Sequence, residues 1–200
     1  MTPTLIVDWD GTVTEHDSLL MVLEEFGDWA ECRRLGEELF AGKITLREEI
    51  DAQFATVTAP LDEVVAWAVE NVKVRPGLPE LAALDPVVVS SGFYELIDPV
   101  LAREGVTVEL HANHVEARPA GWRPIWRELP VCGICGQPCK RADLPSDGDV
   151  VYVGDGYSDR CAALAADRVF ARRGLAAYLD EQGIAYEPFD DLHQIAAALT

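Results

Sequence analysis

The stretch that decides the fold is residues 5–14, which read Leu-Ile-Val-Asp-Trp-Asp-Gly-Thr-Val-Thr. The first three residues are apolar, and the run ends abruptly at Asp8 in polar and glycine residues. Residues 87–89 and 150–153 repeat this pattern ahead of Ser90 and Gly154. Short apolar runs that stop in this way are typical of parallel strands covered on both faces.

Helical patterns lie between and after these strands. Apolar residues recur at helical spacing over residues 93–101 and 192–199. Strands that alternate with helices predict an α/β fold, with helices flanking a parallel sheet. Residues 106–110 alternate like a further strand, and Trp122 and Trp126 fit a loop or a hairpin.

The segment between the first two strands has a different character. Residues 15–75 show helical patterns without a convincing strand, and Arg75-Pro76-Gly77 then punctuates the chain. We therefore predict a small all-helical cap over residues 15–75. It is inserted into a catalytic core formed by residues 1–14 and 76–200.

Composition excludes several classes of function. The 200 residues include 35 acidic and 16 basic side chains, which gives a net charge of −19. Such a chain repels nucleic acid and anionic lipid, so neither is an expected partner. Apolar runs are too short to span a membrane, and the N-terminus lacks the pattern of a signal peptide. These features, with an odd number of cysteines, predict a cytoplasmic protein without a disulfide framework.

Two carboxylates follow the first strand. Alternation along a strand would place Asp8 and Asp10 on the same side. Ligands of open parallel sheets bind at the carboxyl ends of the strands. At that edge one carboxylate can act as nucleophile and the other as general acid and base. A solvated turn is the alternative, because Asp and Gly favour turns.

The third strand runs into Gly154-Asp-Gly-Tyr-Ser-Asp159. Asp155 and Asp159 would then crowd the first pair of carboxylates at the same sheet edge. A hard divalent cation relieves that repulsion, and oxygen ligands with open positions favour Mg²⁺. We expect Asp8, Asp10, Asp155 and Asp159 to form the metal site.

The second strand leads into Ser90-Ser91-Gly92 and then a helical pattern. Hydroxyls and backbone N–H groups at a helix N-terminus predict an anion site, although a serine there can simply cap the helix. Lys140 is one of three lysines in the chain and could pair with a phosphate. The alternative to a phosphate-binding role is that Lys140 is an ordinary surface residue.

These motifs, in this order, resemble those of the haloacid dehalogenase-like hydrolase superfamily. The resemblance implies a Rossmann-like core and phosphoryl chemistry. It makes Asp8 the nucleophile and Asp10 the general acid and base. It also implies that Ser90, Ser91 and Lys140 bind the phosphate of a small-molecule substrate.

The predicted helical cap resembles that of the phosphoserine phosphatase-like subgroup. Within it, the chain looks like the methionine-salvage phosphatases that act on 2-hydroxy-3-keto-5-methylthiopentenyl-1-phosphate. The segments that match are residues 8–14 with Asp17, 42–47, 74–77, 139–140, 169–172 and 186–189. By this resemblance Arg47 and Asp17 contact the substrate. Phosphoserine phosphatases carry a glutamate in place of Asp17.

The cysteines permit a separate hypothesis. Cys132 and Cys135 have the C-x2-C spacing of a zinc site, and Cys139 could be a third ligand. His111 or His114 could supply a fourth. The alternative is three reduced cysteines in a loop packed on itself.

Other functions remain open at this point. The same fold could serve a phosphotransferase. A non-enzymatic phospho-acceptor also combines carboxylates and a lysine on a parallel sheet, and a zinc-dependent binding module would use the cysteines instead. The sequence does not predict the oligomeric state.

Overall fold

The computed structural model describes residues 3–200. Within that range seven strands form one sheet in the order β4-β3-β2-β1-β5-β6-β7. The strands are β1 (Thr4–Asp8), β2 (Val87–Phe93), β3 (Glu109–Glu116), β4 (Arg123–Ile125), β5 (Val150–Gly154), β6 (Arg168–Ala171) and β7 (Glu187–Pro188). All neighbouring strands are parallel except β3 and β4. The predicted α/β fold is confirmed.

Nine α-helices accompany the sheet in the described residues. They are α1 (Ser18–Phe26), α2 (Trp29–Phe40), α3 (Leu46–Phe54), α4 (Leu61–Asn71), α5 (Leu78–Ala82), α6 (Tyr94–Glu104), α7 (Arg160–Ala163), α8 (Arg173–Gln182) and α9 (Leu192–Leu199). None of the helices within residues 3–200 is long and apolar enough to cross a membrane.

The central strand β1 is covered on both faces, as its continuous apolar run requires. Leu5 and Val7 pack in one hydrophobic cluster with residues of α6 and α9. Ile6 points to the opposite face and packs with residues of α7 and α8. Because β1 pairs with both β2 and β5, the ends of all three strands meet at one edge of the sheet.

Helices α1–α4 follow β1 and form a hydrophobic cluster of their own with residues of α6, β3 and the chain leading to β4. The chain leaves β1 and returns from α4 along adjacent paths, since Thr14 and Val74 form an antiparallel bridge. Arg75 N–H also donates to the carbonyl of Val13 at 2.8 Å. The division of the chain into cap and core stays a prediction, and these contacts lie at its predicted boundaries.

The hairpin of β3 and β4 resolves the segment that the sequence left ambiguous. Trp122 is buried in the cluster formed with α1–α4, and its indole N–H donates to the carbonyl of Ala59 at 2.9 Å. The strand lies further along the chain than predicted from residues 106–110, because β3 begins only at Glu109. Val106 and Val108 instead pack at the edge of the main cluster.

Candidate active site

The predicted catalytic residues converge at the carboxyl edge of β1, β2 and β5. A cavity of about 220 Å³ is lined by side chains from all three strand ends and from α1–α3. Its polar lining consists of Asp8, Asp10, Asp17, Glu49, Gln53, Ser91, Lys140, Asp155, Tyr157 and Ser158. Ser90 lies directly beside it, bonded to Asp10.

Asp8 is buried at the end of β1 and forms an ion pair with Lys140. The ammonium of Lys140 donates to Asp8 Oδ1 and also to Asp159 Oδ1, at 2.8 Å. Burial acts to lower the pKa of Lys140, but the two carboxylates raise it above its usual range. Lys140 is therefore a fixed positive charge.

The other oxygen of Asp8 is in a different situation. Asp8 Oδ2 is buried and has no hydrogen-bond partner within residues 3–200. Burial and the charge of Asp159 raise the pKa of Asp8 well above its usual range, although Lys140 opposes this. A buried carboxylate oxygen without a donor is costly unless a further positive group reaches it.

Asp159 is the most fully bonded carboxylate of the site. Its Oδ1 accepts from Lys140 and from the hydroxyl of Tyr152 at 2.7 Å. Its Oδ2 accepts from the backbone N–H groups of Asp155 and Gly156, at 3.0 and 2.9 Å. Since each oxygen already accepts two bonds, Asp159 orients Lys140 and the Asp155 loop and leaves no lone pair for a metal.

Asp10 does not reach the site by strand alternation. β1 ends at Asp8, and residues 9–13 form a tight turn in which Gly11 has a φ of +79°. The turn places Asp10 where Ser18 N–H donates to Oδ1 at 3.1 Å and the Ser90 hydroxyl donates to Oδ2 at 3.1 Å. The Ser18 hydroxyl also donates to Oδ1. Burial raises the pKa of Asp10, although these bonds oppose the rise.

Arg75, which the sequence analysis did not select, holds this turn in place. Its guanidinium donates to the carbonyls of Gly11, Thr12 and Thr14 at 3.0–3.1 Å. A fourth bond, at 2.9 Å, reaches the carbonyl of Asp190 ahead of α9. The Arg-Pro-Gly signal was visible in the sequence, but its distant partners were not.

Asp155 lies on the loop after β5 and faces the β1 turn. Burial and the neighbouring Asp159 raise its pKa to about 6. Its Oδ2 lies 3.6 Å from the guanidinium of Arg173, a residue held at a φ of +47°. Arg173 therefore adds a second positive charge to the edge of the site.

The donor set fits a hard divalent cation. Oxygens of Asp8, Asp155 and Asp159 come within 4.8 Å of one another, and one of the Asp8 oxygens is buried without a donor from the described part of the chain. Oxygen-only ligands of this kind suit Mg²⁺. With Asp159 committed to hydrogen bonds, Asp8 and Asp155 are the side chains best placed to hold the ion.

The serines after β2 are placed differently from the prediction. β2 continues through Ser90 and Ser91 to Phe93, with a register irregularity against β3, and α6 begins only at Tyr94. The two serines therefore do not form a helix N-terminus. The Ser90 hydroxyl accepts from the N–H of Gly92 at 2.8 Å, and the carbonyl of Ser91 accepts from the Asn113 amide at 2.9 Å.

A second, larger cavity of about 460 Å³ adjoins the first and shares Leu46, Ser91, Lys140, Tyr157 and Ser158 with it. Arg47 of α3 lines this cavity, with its guanidinium 4.9 Å from the centre of the Trp126 ring. It also donates to the carbonyl of Arg127 at 3.2 Å. Arg47 thus lines the larger cavity, whereas Asp8 and Asp10 line the smaller one.

Asp17 lines the smaller cavity and begins α1. Its Oδ1 accepts from the N–H of Leu20 at 2.9 Å, which is a helix-capping bond. Burial and the charge of Asp10 raise the pKa of Asp17 to about 7. Asp17 therefore has a structural bond as well as access to the site.

The two histidines considered as zinc ligands point elsewhere. The ring nitrogens of His111 lie 2.8 Å from Asp143 and 3.0 Å from Glu109, and His114 contacts Glu95 at 2.8 Å. The three cysteines of the loop instead meet Cys161 of α7. The sequence analysis missed Cys161 because it lies 22 residues beyond the loop.

Comparisons with known proteins identify the family of this chain. The family model of haloacid dehalogenase-like hydrolases matches residues 5–164. A 2-hydroxy-3-keto-5-methylthiopentenyl-1-phosphate phosphatase of Bacillus mycoides is 25% identical over 215 residues, covering 100% of this chain and 96% of the relative. The phosphatase of the same name from Exiguobacterium sibiricum is 26% identical, covering 98% and 95%.

Solved structures agree on the fold. A phosphoserine phosphatase from T. onnurineus superposes with a TM-score of 0.71 at 19% identity, over 100% of this chain and 94% of the other. A phospho-aspartyl intermediate analogue of phosphoserine phosphatase gives a TM-score of 0.71 at 17% identity, over the whole of both chains.

Proposed function

The chain belongs to the haloacid dehalogenase-like hydrolase family, and from that premise we propose that it is a Mg²⁺-dependent phosphatase acting on a small-molecule phosphate monoester. One observation carries the proposal. Asp8 is buried, bonded to Lys140 through one oxygen, and without a donor on the other among residues 3–200. That arrangement suits a carboxylate nucleophile whose negative charge must be offset during attack on an anionic phosphate.

The reaction has two steps. A carboxylate oxygen of Asp8 attacks phosphorus while the bond from phosphorus to the leaving oxygen breaks, and Asp10 gives its proton to that oxygen. The product is an aspartyl-phosphate on Asp8. Water then attacks this phosphorus and gives a proton to Asp10. The bond to Asp8 breaks, which releases phosphate and restores the carboxylate of Asp8 and the protonated carboxyl of Asp10.

Asp10 is suited to the acid role because burial raises its pKa. Bonds from Ser18 and Ser90 hold both of its oxygens. A general acid works best when its pKa is near the working pH.

The phosphate would bind among Ser90, the backbone N–H of Ser91 and Lys140. Lys140 is anchored by Asp159, so its charge is already oriented before substrate arrives. Asp8, Asp155 and the backbone carbonyl of Asp10 would hold Mg²⁺. The bound ion offsets the charge of the carboxylates and the phosphate.

We propose a partly apolar group that also carries hydrogen-bond acceptors as the non-phosphate end of the substrate. The larger cavity combines Arg47 with apolar side chains of Ile44, Leu46, Leu129, Ile134 and Tyr178. Relatives named 2-hydroxy-3-keto-5-methylthiopentenyl-1-phosphate phosphatases cover 100% and 98% of this chain. That compound, which ends in a methylthio chain, is our first candidate.

Phosphoserine is the second candidate, because Asp17 lies in the same cavity as Asp8 and Asp10. A carboxylate there could pair with a substrate ammonium. Its capping bond to Leu20 competes with that role.

A phosphate-release screen with Mg²⁺ tests the proposal. The panel holds p-nitrophenyl phosphate, phosphoserine and the methionine-salvage phosphate. We expect release that stops with EDTA and in the isosteric Asp8→Asn variant, with the methionine-salvage phosphate turned over faster than phosphoserine. Asp62→Asn, an exposed carboxylate of α4, is the matched control and retains activity.

Three results would contradict the proposal. Turnover by Asp8→Asn at the wild-type rate would remove Asp8 as nucleophile. A stable phospho-protein that forms from acetyl phosphate without release would identify a phospho-acceptor instead. Transfer to added sugars in preference to water would identify a phosphotransferase.

A further inference from the structure

Four cysteines meet at one wall of the larger cavity. Cys132 and Cys135 lie on the loop that precedes the Lys140 turn, and Cys139 ends that loop. Cys161 comes from α7, after β5. The four Sγ atoms all lie within 4.8 Å of one another, and each cysteine is free. Three of the four cysteines therefore come from one loop, and the fourth comes from a helix that lies further along the chain.

Backbone hydrogen bonds close the loop into a tight turn. Gly136 N–H donates to the carbonyl of Cys132 at 2.9 Å, and Cys132 N–H donates to the carbonyl of Gln137 at 3.0 Å. Gly136 has a φ of +69°, which favours glycine after the second cysteine. This closes a tight turn with Cys132 and Cys135 on the same side as Cys139.

Backbone donors also prepare one sulfur to carry negative charge. The N–H of Ile134 donates to Cys132 Sγ at 3.4 Å. An N–H donor of this kind stabilises a thiolate more than a thiol. The thiolate is the form of cysteine that binds metals.

The loop lacks an apolar core to hold it. Its two largest apolar side chains, Val131 and Ile134, are 70% and 52% exposed. Short segments without a core are commonly held by a disulfide or by a structural metal. All four thiols are free, and one metal ion can hold all of them.

We propose that Cys132, Cys135, Cys139 and Cys161 bind one Zn²⁺ ion as a structural tetrahedral site. Zinc–sulfur bonds of about 2.3 Å place the sulfurs about 3.8 Å apart. The thiol cluster therefore needs to contract by about 1 Å at most. Four soft thiolates select zinc, whereas the oxygen ligands around Asp8 select a hard ion. The two sites are chemically distinct.

The location gives the zinc a definite structural effect. Cys139 directly precedes Lys140, and Cys161 lies two residues after Asp159. Lys140 and Asp159 are joined at 2.8 Å. A zinc ion would thus tie together the two segments that carry this pair, and it can enter from the cavity that Cys135, Cys139 and Cys161 line.

Metal content of the purified protein tests the site without reference to activity. The protein is expressed with zinc in the medium, purified under reducing conditions and washed with a weak chelator. We expect about one zinc per chain by mass spectrometry of the metals. Metal-free protein titrated with Co²⁺ should show the absorption of tetrahedral cobalt and the sulfur-to-cobalt charge transfer of thiolate ligands.

Matched variants assign the ligands. Cys161→Ser and Cys135→Ser should lose the zinc and the thiolate charge-transfer band. Cys32→Ser, a buried cysteine of α2 outside the cluster, should keep both. Cys135 is exposed, so its variant remains informative if Cys161→Ser fails to fold.

Three outcomes would overturn the proposal. The washed wild-type protein could contain no zinc and give no thiolate band with Co²⁺. It could contain iron in place of zinc. Finally, Cys161→Ser could keep a full equivalent of zinc with an unchanged cobalt spectrum, which would exclude the fourth ligand. The phosphatase screen is independent of all three.

Discussion

Gly11 and Asp155 are in such close contact that no side chain fits between them. A Cβ atom on Gly11 would lie 2.2 Å from Asp155 Oδ2, and Gly11 has a φ of +79°. This contact joins the turn after β1 to the loop after β5. Gly11 therefore helps to position both Asp8, the proposed nucleophile, and Asp155, a proposed metal ligand.

We expect Gly11→Ala to displace Asp155 and lower the affinity for Mg²⁺ by about 10–100-fold, the usual effect of disturbing groups around a metal. The measurement is phosphatase rate against Mg²⁺ concentration. Gly183→Ala is the control, since Gly183 has a φ of +67° and no atom of residues 3–200 lies within 4 Å of the added Cβ. Equal effects of the two variants would show that backbone strain, and not contact with Asp155, is responsible.

Asp10→Asn should slow alkyl phosphates more than p-nitrophenyl phosphate. An alkoxide leaving group needs a proton, so the loss for alkyl phosphates should be about 10²–10⁴-fold. Nitrophenolate is stable enough to leave without receiving a proton. The ratio of the two rates is the measurement, and an unchanged ratio would argue against the acid role of Asp10.

Ser18→Ala supplies a pH test of the same residue. The Ser18 hydroxyl bonds to the charged form of Asp10 and lowers its pKa. Removing that hydroxyl raises the pKa of Asp10, so Asp10 stays protonated to higher pH. The basic limb of the kcat profile should then move to higher pH. A shift to lower pH would contradict the assignment.

Lys140→Met should destabilise the protein in a pH-dependent way. The variant leaves Asp8 and Asp159 buried without their common cation, which costs about 3–5 kcal/mol of unfolding free energy at neutral pH. Burial already raises the pKa of Asp8, so lowering the pH protonates it and removes part of the penalty. Urea unfolding at pH 5 and pH 8 measures the difference. The exposed Lys73→Met is the control and should show no such pH dependence.

Glu49→Gln should stabilise the protein above neutral pH. Burial raises the pKa of Glu49 from 4.5 to about 7. The contribution of Glu49 to the free energy of unfolding is therefore most favourable below about pH 4.5, where the side chain is protonated in both states. This contribution is lost as the pH rises through 7. The glutamine variant avoids that loss and should gain about 2–3 kcal/mol at pH 8 and little at pH 4.5.

The control for this prediction is Glu37→Gln, an exposed residue of α2. It should leave the unfolding free energy unchanged at both pH values. If Glu49→Gln gives the same change at pH 4.5 and pH 8, its effect arises from packing and not from the charge.

Residues 5–14 were sufficient to predict the central strand, because a continuous apolar run ending in Asp8 fits a parallel strand covered on both faces. The same logic predicted β2 and β5, and with them the edge where Asp8, Ser90 and Asp155 meet. Helical spacing predicted α1 and α4 between the first two strands. These predictions succeeded because periodicity and burial are local properties of the chain.

Tertiary structure decided what depends on distant partners. Asp10 reaches the site through the Gly11 turn, which Arg75 holds from 64 residues away. Asp159 orients Lys140 only because Tyr152 and two backbone N–H groups occupy its remaining lone pairs. Cys161 joins the other cysteines because α7 packs beside the Lys140 turn. The sequence by itself determined which residue types were available, whereas the packing of β1, β5 and α7 determined which of them meet. Hydrogen bonds and metal coordination depend on distances in space, and spacing along the chain does not specify those distances.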